Sequence, residues 1–479
     1  MCYNNNQEGE KMKLKELINC DYDIDITGIK TSSVNIKKGD LFICTDTKTM
    51  DRHLFIDDAI NKGASAVIVK KDVGNKQVPI IKVDNPNETY VNIINKFYDY
   101  PTKKLNMIGI TGTDGKTTVA TIIYELLSNC AYIGTNGINY NNYKEKTLNT
   151  TPGLDKTIPL FYDMVKNGIK NVSMEVSSEA IHYNRIDGIE FNCSIITNIT
   201  KEHLNTHKTL ENYINCKCKL FDNTIGPCIL NKDDEHFDEV AKHCKKIYTY
   251  GKDNDNDLYF KDVKLDIDKT TFTIIYQNKE YKIISPLIAM FNVYNLCAAL
   301  LALVSLGYDL NELIAKVKNI KISGRLESID MGQNFKVIVD YAHTPNGISK
   351  LLEFINSLVF NKLIVVFSEP GERDKSKRPS KGYNVITNCD YAIVTSQDPR
   401  GEDPMDIAND LISDVKDYKN YEIILDRSEA IKKAINIAHK DDIVLIIGKG
   451  SENYQILKDK IIEFCDIDEV KKHLKTLLK

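Results

Sequence analysis

The residues with the clearest chemical potential lie between positions 105 and 127, where an apolar run ends in a glycine-rich turn. Lys116 and Thr117 follow the turn, and apolar residues then recur at helical spacing. Such a turn between a strand and a helix lets backbone N–H groups surround an anion, while the helix dipole adds positive potential. We therefore predict a nucleotide phosphate site, in which Lys116 contacts the outer phosphates and Thr117 ligates Mg²⁺.

The spacing of this turn is unusual. The common phosphate-loop pattern requires a glycine at Ile110, whereas the glycines stand at positions 109 and 112. The alternative is a glycine-rich loop that merely precedes a helix and binds nothing.

Composition limits the class of protein. A chain of 479 residues, 42% hydrophobic and 27% charged, is typical of a soluble globular protein with about three domains. A net charge of −4 gives no reason to expect nucleic acid as a partner, and no apolar run is long enough for a membrane span. The polar residues 1–11 lack the apolar core of a secretory signal and are expected to form a disordered extension. We expect a cytoplasmic protein with reduced cysteines.

Strands and helices alternate along the chain, which predicts an α/β fold of three domains. The blocks are a small α/β domain over residues 1–101, a central P-loop-type domain over 102–322, and a Rossmann-like domain over 323–479. In the central domain we expect a parallel sheet covered by helices on both faces. Predicted strands include residues 40–44, 66–69, 171–176, 193–198 and 228–230, predicted helices include 54–62, 211–221 and 293–306, and a β-rich insert is expected over 258–284.

The third block contains four uniformly apolar segments, residues 336–340, 363–367, 391–395 and 443–447, as expected for a buried parallel sheet. Ligands bind at the carboxyl ends of such strands. Polar or glycine-rich residues follow each segment and include Arg373 and Arg400, whose planar guanidinium groups can bind carboxylates or phosphates. One such loop is ordinarily a solvated turn, but four in succession predict an assembled site.

Three further side chains of the central block are candidates. Glu175 ends a predicted strand, where a carboxylate can ligate the Mg²⁺ of a nucleotide; a solvated strand-end carboxylate is the alternative. His203 and His207 are four positions apart and can share one face of a helix, although exposed histidines are equally consistent. Lys217 lies on a predicted helix, where a lysine is usually a surface residue.

Several motifs occur in an order that identifies a family. They are residues 112–118, 174–178, 197–198 with His203, 291–295, 324–325 and 340–345. Through them nearly the whole chain resembles the Mur ligases of peptidoglycan synthesis. Within that family it most resembles the members that add the third amino acid to UDP-N-acetylmuramoyl-L-Ala-D-Glu.

The resemblance implies roles for particular residues. For ATP they are Gly112, Thr113, Asp114, Gly115, Lys116, Thr117, Thr118, Asn292, Asn295, Arg325 and His343. For the UDP-muramoyl peptide they are Ser33, His53, Asn149, Thr150, Thr151, Ser177 and Arg185. For the incoming amino acid they are Arg373, Gln397, Asp398, Arg400, Gly448 and Glu452. The implied catalytic residues are Lys116, Glu175, His203 and Lys217, and the implied Mg²⁺ ligands are Thr117, Glu175, His203 and a carbamoylated Lys217.

The resemblance also implies a reaction. ATP would phosphorylate the D-Glu carboxylate, and the amine of the incoming amino acid would attack the acyl-phosphate. The implied cofactors are ATP and Mg²⁺, the partners are small molecules, and we expect a monomer.

The motif for the incoming amino acid departs from that of the family. The diaminopimelate-adding members carry Asp-Asn-Pro-Arg, and the corresponding residues here are Gln397, Asp398, Pro399 and Arg400. Arg400 favours a substrate with a second carboxylate, such as meso-diaminopimelate, over lysine, whose ammonium it would repel. The alternatives are a lysine-adding ligase, a paralogue with another amino acid or acceptor, a folylpolyglutamate-like ligase, and an inactive nucleotide-binding regulatory protein.

Overall fold

The computed structural model describes residues 11–46, 50–147, 149–202 and 204–478. The chain forms two compact units. The first unit comprises residues 1–109, 129–192 and 223–225, and the second comprises residues 110–128, 193–222 and 226–479. The division into three domains that the sequence suggests remains a prediction.

The strands, in the order of the chain, are Met12–Lys13 (β1), Asp25–Ile26 (β2), Gly28–Lys30 (β3), Asp40–Ile43 (β4), Ala66–Val69 (β5), Ile80–Lys82 (β6), Asn106–Thr111 (β7), Cys130–Gly134 (β8), Gly137–Tyr140 (β9), Tyr143–Glu145 (β10), Asn171–Glu175 (β11), Cys193–Ile196 (β12), Cys228–Asn231 (β13), Ile247–Gly251 (β14), Leu258–Leu265 (β15), Thr270–Tyr276 (β16), Lys279–Ser285 (β17), Glu327–Ser328 (β18), Lys336–Asp340 (β19), Leu363–Phe367 (β20), Tyr391–Val394 (β21), Tyr421–Ile423 (β22), Ile443–Ile447 (β23), Tyr454–Ile456 (β24) and Ile461–Glu463 (β25).

The α-helices are Leu14–Leu17 (α1), Ile56–Asn61 (α2), Pro86–Phe97 (α3), Lys116–Leu126 (α4), Leu154–Lys166 (α5), Ser178–His182 (α6), Leu204–His207 (α7), Leu210–Asp222 (α8), Phe237–Ala241 (α9), Met290–Ser305 (α10), Leu310–Val317 (α11), Pro345–Asn356 (α12), Arg378–Thr387 (α13), Pro404–Leu411 (α14), Arg427–Ile437 (α15) and Asp466–Leu477 (α16). In the described part of the chain, no helix has the length and apolar character that crossing a membrane requires.

The first unit contains a parallel sheet in the order β3-β4-β5-β6. Its apolar core includes Phe42, Ile56 and Val67, so α2 packs on one face of this sheet. A second group of strands lies in the order β10-β9-β8-β11-β7, in which β8 and β11 are parallel. Glu175 is the last residue of β11 and Thr135 follows β8, so both stand at carboxyl ends of parallel strands.

Strand β7 begins in the first unit and ends in the second, where the strand order is β7-β12-β13-β14-β15-β16-β17. Strands β12 to β15 are parallel, and β15, β16 and β17 form an antiparallel meander in the segment predicted as a β-rich insert. Helix α10 is apolar around most of its circumference and is accordingly buried along most of its length. Helix α10 contacts α4, the helix that follows the predicted phosphate loop.

The last sheet of the second unit has the order β18-β19-β23-β20-β21-β22 and is parallel except for β18. One of its faces packs against α12, α13 and α14, and the other packs against α15 and α16. Three of its strands, β19, β20 and β23, have the bounds that the sequence predicts. Successive residues such as Ile338 and Val339 face opposite cores, which explains why these strands are apolar throughout.

Candidate functional site

The predicted phosphate loop connects β7 to α4, as expected. Gly112 and Gly115 have φ angles of 142° and 87°, in the region that favours glycine. A Cβ atom on Gly112 would lie 1.9 Å from Thr197 Oγ1, and one on Gly115 would lie 2.6 Å from Asn295 Oδ1. Ile110 is a buried strand residue, so the turn begins later than in the common phosphate-loop pattern. The unusual spacing thus reflects a loop with its own close packing.

Residues after β12 hold the loop in place. The amide of Thr113 donates to Asn198 O at 2.8 Å, and the amide of Asp114 donates to Asn198 Oδ1 at 3.0 Å. The side-chain amide of Asn198 donates in return to Asp114 O at 3.1 Å. Thr197 and Asn198, which belong to one of the family motifs, therefore shape the loop rather than extend away from it.

Two lysines converge on one carbonyl group of the loop. Lys116 Nζ donates to Gly112 O at 2.9 Å and to Thr113 O at 2.8 Å, and Lys217 Nζ donates to Gly112 O at 2.9 Å. Lys217 is 1% exposed, and its Nζ lies 4.5 Å from the centre of the Tyr213 ring. The expectation that a lysine on this helix lies at the surface is therefore wrong.

Burial has a chemical consequence for Lys217. Loss of hydration, and then the charge of Lys116, hold the pKa of Lys217 well below its ordinary value of 10.5. A neutral amine is the form that reacts as a nucleophile, so the site favours covalent chemistry at Lys217.

Arg325 precedes β18, and its side chain contacts the first turn of α4, the helix that follows the loop. Its Nη2 donates to Thr117 Oγ1 at 3.2 Å, and its guanidinium carbon lies 4.3 Å from the centre of the Tyr341 ring. Asp340 accepts from the amides of Leu326 and Ala342, both at 2.7 Å, and burial raises the pKa of this carboxyl group. The structure thus brings Arg325, a predicted nucleotide ligand, to the phosphate loop.

The other predicted ATP residues differ in their surroundings. Asn295 Nδ2 donates to Asn292 Oδ1 at 3.1 Å, and Asn292 Nδ2 donates to Ile288 O at 2.7 Å, with both side chains buried. His343 is exposed, and its Nδ1 lies 3.1 Å from Tyr341 O. Thr344, next to His343, donates to Asp114 Oδ1 at 3.2 Å. Thr118 is buried in the first turn of α4.

Glu175 is a buried carboxylate in the first unit rather than a solvated one. It accepts from the Tyr132 hydroxyl at 2.6 Å and from the Thr135 amide at 2.9 Å. Thr151 connects several predicted residues to this position. Its Oγ1 donates to Glu175 O at 2.8 Å and accepts from Ser177 N at 3.1 Å, and its carbonyl accepts from Arg185 Nη1 at 3.2 Å.

The remaining predicted UDP-muramoyl residues also lie in the first unit. Thr150 Oγ1 lies 3.3 Å from Thr135 Oγ1, and Asn149 is exposed. Ser33 is buried, and its carbonyl accepts from Lys62 Nζ at 3.2 Å. His53 Nε2 accepts from Lys70 N at 3.2 Å, so its Nδ1 carries the hydrogen that it donates to Asp51 at 2.7 Å.

In the second unit, residues predicted to bind the incoming amino acid meet at the carboxyl ends of β20, β21 and β23. Gln397 Nε2 donates to Gly448 O at 3.0 Å, and Gln397 Oε1 accepts from Ser368 Oγ at 3.2 Å. These two bonds join the residues that follow all three strands. The structure therefore brings these residues together at the ends of the strands.

A buried lysine that the sequence did not single out lies in this site. Lys449 Nζ donates to Asp398 Oδ1 at 3.2 Å and to Glu452 Oε2 at 3.0 Å. Tyr341 also donates to Glu452, at 3.3 Å, and burial raises the pKa of that carboxyl group. Lys449 lies between two glycines after an apolar strand, and this position is the signal that could have identified it from the sequence.

The two predicted arginines share one neighbour. Burial raises the pKa of Tyr454 to about 12, and the charges of Arg400 and Arg373 both oppose that rise. Arg373 is exposed, whereas Arg400 is partly buried and has a φ of 54°. Both guanidinium charges therefore act on Tyr454, and guanidinium groups of this kind can bind a substrate carboxylate.

Three of the four predicted metal ligands, Thr117, Glu175 and Lys217, lie in the described part of the chain. His203 lies outside the described residues, and His207 is buried with its ring 5.3 Å from that of Tyr213. Within the described ranges, no group of three or more His, Cys, Asp and Glu side chains has the arrangement of a metal site. The hydroxyl of Thr117 and the carboxylate of Glu175 are oxygen donors of the kind that Mg²⁺ prefers, so the donor chemistry fits.

Comparison with known proteins decides the family. Two family models match, the Mur ligase middle domain over residues 110–303 and the Mur ligase glutamate ligase domain over residues 324–450. This chain belongs to the Mur ligase family. Among curated relatives of this Mur ligase is a UDP-N-acetylmuramoyl-L-alanyl-D-glutamate--2,6-diaminopimelate ligase of Clostridium tetani, 38% identical over 97% of this chain and 100% of the relative. A Bacillus cereus protein of the same name is 35% identical over 96% of this chain and 98% of the relative.

Solved structures agree with this assignment. A ligase structure of the same name matches the Mur ligase with a TM-score of 0.71 and 30% identity, covering 98% of this chain and 100% of the other. A folylpolyglutamate synthase of Mycobacterium tuberculosis matches with a TM-score of 0.62 and 15% identity, covering 75% of this chain and 91% of the other. The second likeness concerns the fold alone.

Proposed function

We propose that this Mur ligase is an ATP-dependent amide ligase that adds meso-diaminopimelate to UDP-N-acetylmuramoyl-L-Ala-D-Glu in peptidoglycan precursor synthesis. Full-length relatives at 35% and 38% identity carry the name of that enzyme, which supports the proposal. Within the site, the proposal rests on the convergence of Lys116 and Lys217 on Gly112 O.

The proposed chemistry begins with two anions that must meet. An oxygen of the D-Glu carboxylate attacks the γ-phosphorus of ATP, and ADP leaves. Lys116, whose ammonium lies against the loop carbonyls, would reduce the repulsion by contacting the outer phosphates. The amine of diaminopimelate then attacks the acyl carbon, phosphate leaves, and the nitrogen loses a proton to form the amide.

The proposal includes Mg²⁺. When bound, this ion would neutralise the negative charge of the phosphates. In the second unit, Thr117 would be a ligand, and Lys217 would become one after carbamoylation converts its amine to an anion. The lowered pKa of Lys217 supports that modification. In the first unit, the Glu175 carboxylate would be a ligand.

The choice of diaminopimelate rests on charge at the strand-end site. Lys449 pairs with the carboxylate of Asp398, so the acidic residue that departs from the family motif is already neutralised by a buried partner. Arg400 and Arg373 place positive charge around Tyr454, beside the carboxylates of Glu452 and Asp398, and favour a substrate with a second carboxylate over lysine. A monomeric state and a cytoplasmic location complete the proposal.

The test is phosphate release from ATP and Mg²⁺ with UDP-N-acetylmuramoyl-L-Ala-D-Glu and one candidate amino acid at a time. We expect release with meso-diaminopimelate and not with L-lysine. Release with lysine alone would contradict the argument from Arg400. Absence of release with every amino acid would instead favour a regulatory nucleotide-binding protein.

Lys116→Ala is the matching variant for this assay. We expect it to lose phosphate release, because the ammonium that bonds to the loop carbonyls is the group that would contact the outer phosphates. Full turnover by Lys116→Ala would refute the phosphate-loop assignment.

A further inference from the structure

Two loops at the ends of neighbouring parallel strands carry the arginines of the proposed amino-acid site. The first loop, residues 368–377, follows β20 and contains Arg373. The second loop, residues 395–403, follows β21 and contains Arg400. The amide of Gly371 donates to Asp398 O at 2.9 Å, and a Cβ atom on Gly371 would lie 2.0 Å from Pro399 O. The two backbones therefore touch where no side chain fits.

A reciprocal pair of carboxylates cross-links the loops. Glu402 Oε1, from the second loop, accepts from the backbone amide of Glu372 in the first. Glu372 Oε1 accepts in turn from the amide of Gly401 at 3.2 Å. Glu372 and Arg400 have φ angles of 57° and 54°, which non-glycine residues rarely adopt. Such conformations persist only when surrounding contacts impose them, and the two carboxylates supply those contacts.

A fully buried arginine fixes Glu402. Arg378 donates to Glu402 through both terminal nitrogens, Nη1 to Oε2 at 3.0 Å and Nη2 to Oε1 at 3.1 Å. Lys375 Nζ lies 2.9 Å from Glu402 Oε2. The Arg378 guanidinium holds the pKa of Glu402 at about 2, so this carboxylate is ionised across the range in which the protein would work. The paired bonds leave Glu402 one orientation.

We propose that Glu402 is a positioning residue that sets the separation of Arg373 and Arg400 and thereby the affinity for the second carboxylate of the incoming amino acid. The inference rests on the proposed function for the identity of that substrate. Glu402 makes no contact with the phosphate loop among its described bonds, so its effect should be confined to the amino acid. Small displacements of substrate-binding groups are costly in such sites.

Kinetics of two variants test the role of Glu402. Glu402→Ala removes both acceptors and should raise the KM for the amino acid roughly tenfold to a hundredfold, with kcat and the KM for ATP unchanged. Glu402→Gln keeps one carbonyl acceptor for the Glu372 amide and should recover part of the loss. Asp410→Asn is the matched control. Asp410 Oδ2 accepts from Arg378 Nη1 at 2.9 Å, but this residue lies on α14, outside both loops. We expect Asp410→Asn to keep the original KM.

A second measurement does not require turnover. Hydrogen exchange at the amides of Glu372 and Gly401 should be faster in Glu402→Ala than in the unsubstituted protein, and unchanged in Asp410→Asn. Unchanged exchange in Glu402→Ala would overturn the proposal, as would an equal rise in KM for both substitutions or a parallel rise in the KM for ATP. Loss of turnover with every amino acid in the unsubstituted protein would refute the proposed function alone, since the exchange result would still decide the loop cross-link.

Discussion

At the scale of single residues, Lys217 illustrates how function can conflict with stability. Its amine is buried beside Lys116, and its pKa lies well below 10.5. When pH falls below 10.5, the unfolded chain binds a proton at this lysine that the folded chain does not bind until its lower pKa is reached. The cost of burying this lysine therefore grows as the pH falls from 10.5 towards neutrality.

Lys217→Met should reveal this cost. In CO₂-free buffer, we expect the free energy of unfolding of the unsubstituted protein to rise relative to the variant by up to about 1.4 kcal/mol per pH unit between pH 7 and 9. Lys219→Met, at an exposed position of the same helix, is the control and should show no such difference. Denaturant titrations at several pH values measure the effect. Parallel pH profiles for the protein and Lys217→Met would show that Lys217 titrates normally.

At the scale of elements, the turn between β7 and α4 depends on close packing as well as on backbone freedom. Gly112→Ala combines an unfavourable φ with a Cβ atom 1.9 Å from Thr197 Oγ1, so the loop must move. We expect the affinity for ATP to fall roughly tenfold or more, since overpacking costs about 1–3 kcal/mol. Gly307→Ala is the control, because Gly307 has a φ of 94° but nothing within 4 Å of its Cβ position. Nucleotide titrations that gave equal affinities for both variants would contradict the packing argument.

The element pair α15 and α16 is joined by a buried ion pair beneath the amino-acid site. Arg427 donates to both carboxylate oxygens of Asp466 at 2.7 Å, and its Nη1 donates to Ser368 Oγ at 2.9 Å. Asp466→Asn should lower the free energy of unfolding by about 3–5 kcal/mol, because it leaves the guanidinium without its buried counter-charge. Glu429→Gln, which breaks an exposed pair with Lys432, should cost under about 1 kcal/mol. Chemical denaturation of both variants would compare these losses, and equal losses would argue against a special role for the buried pair.

The strands of the last sheet could be predicted from the sequence, whereas the buried charged residues beside them could not. Strands β19, β20 and β23 were predictable to the residue, because each is an uninterrupted apolar run that ends at a polar or glycine-rich turn. Arg427 was not predictable, because a charged residue at the start of a helix resembles a solvated one, and its partner Asp466 lies 39 positions away. Lys217 could be singled out only through the family resemblance, because a lysine on a helix is usually a surface residue. Long-range pairing of buried charges leaves no local pattern in a sequence.

At the scale of the whole molecule, two solved structures differ in how much of the chain their folds match. The likeness to a solved diaminopimelate ligase covers 98% of the chain, whereas the likeness to a folylpolyglutamate synthase covers 75%. The second fold therefore leaves about a quarter of the chain without a counterpart, and the sequence resemblance places UDP-muramoyl residues such as Ser33 and His53 in the first block. In the first unit, the Ser33 carbonyl accepts from Lys62 and the His53 ring accepts from the amide of Lys70. The entire chain, not the nucleotide site alone, should thus select the acceptor.

Acceptor choice can be measured without knowing the amino acid. An acyl-phosphate reacts with hydroxylamine, so the protein supplied with ATP, Mg²⁺ and hydroxylamine should form a hydroxamate with UDP-N-acetylmuramoyl-L-Ala-D-Glu. It should form none with a folylglutamate, because the residues of the first block would lack their ligand. Lys116→Ala is the control for background reaction and should form neither product. A hydroxamate of the folylglutamate would reassign the acceptor. Amide formation with diaminopimelate but no trapped hydroxamate would show that hydroxylamine cannot reach the acyl-phosphate.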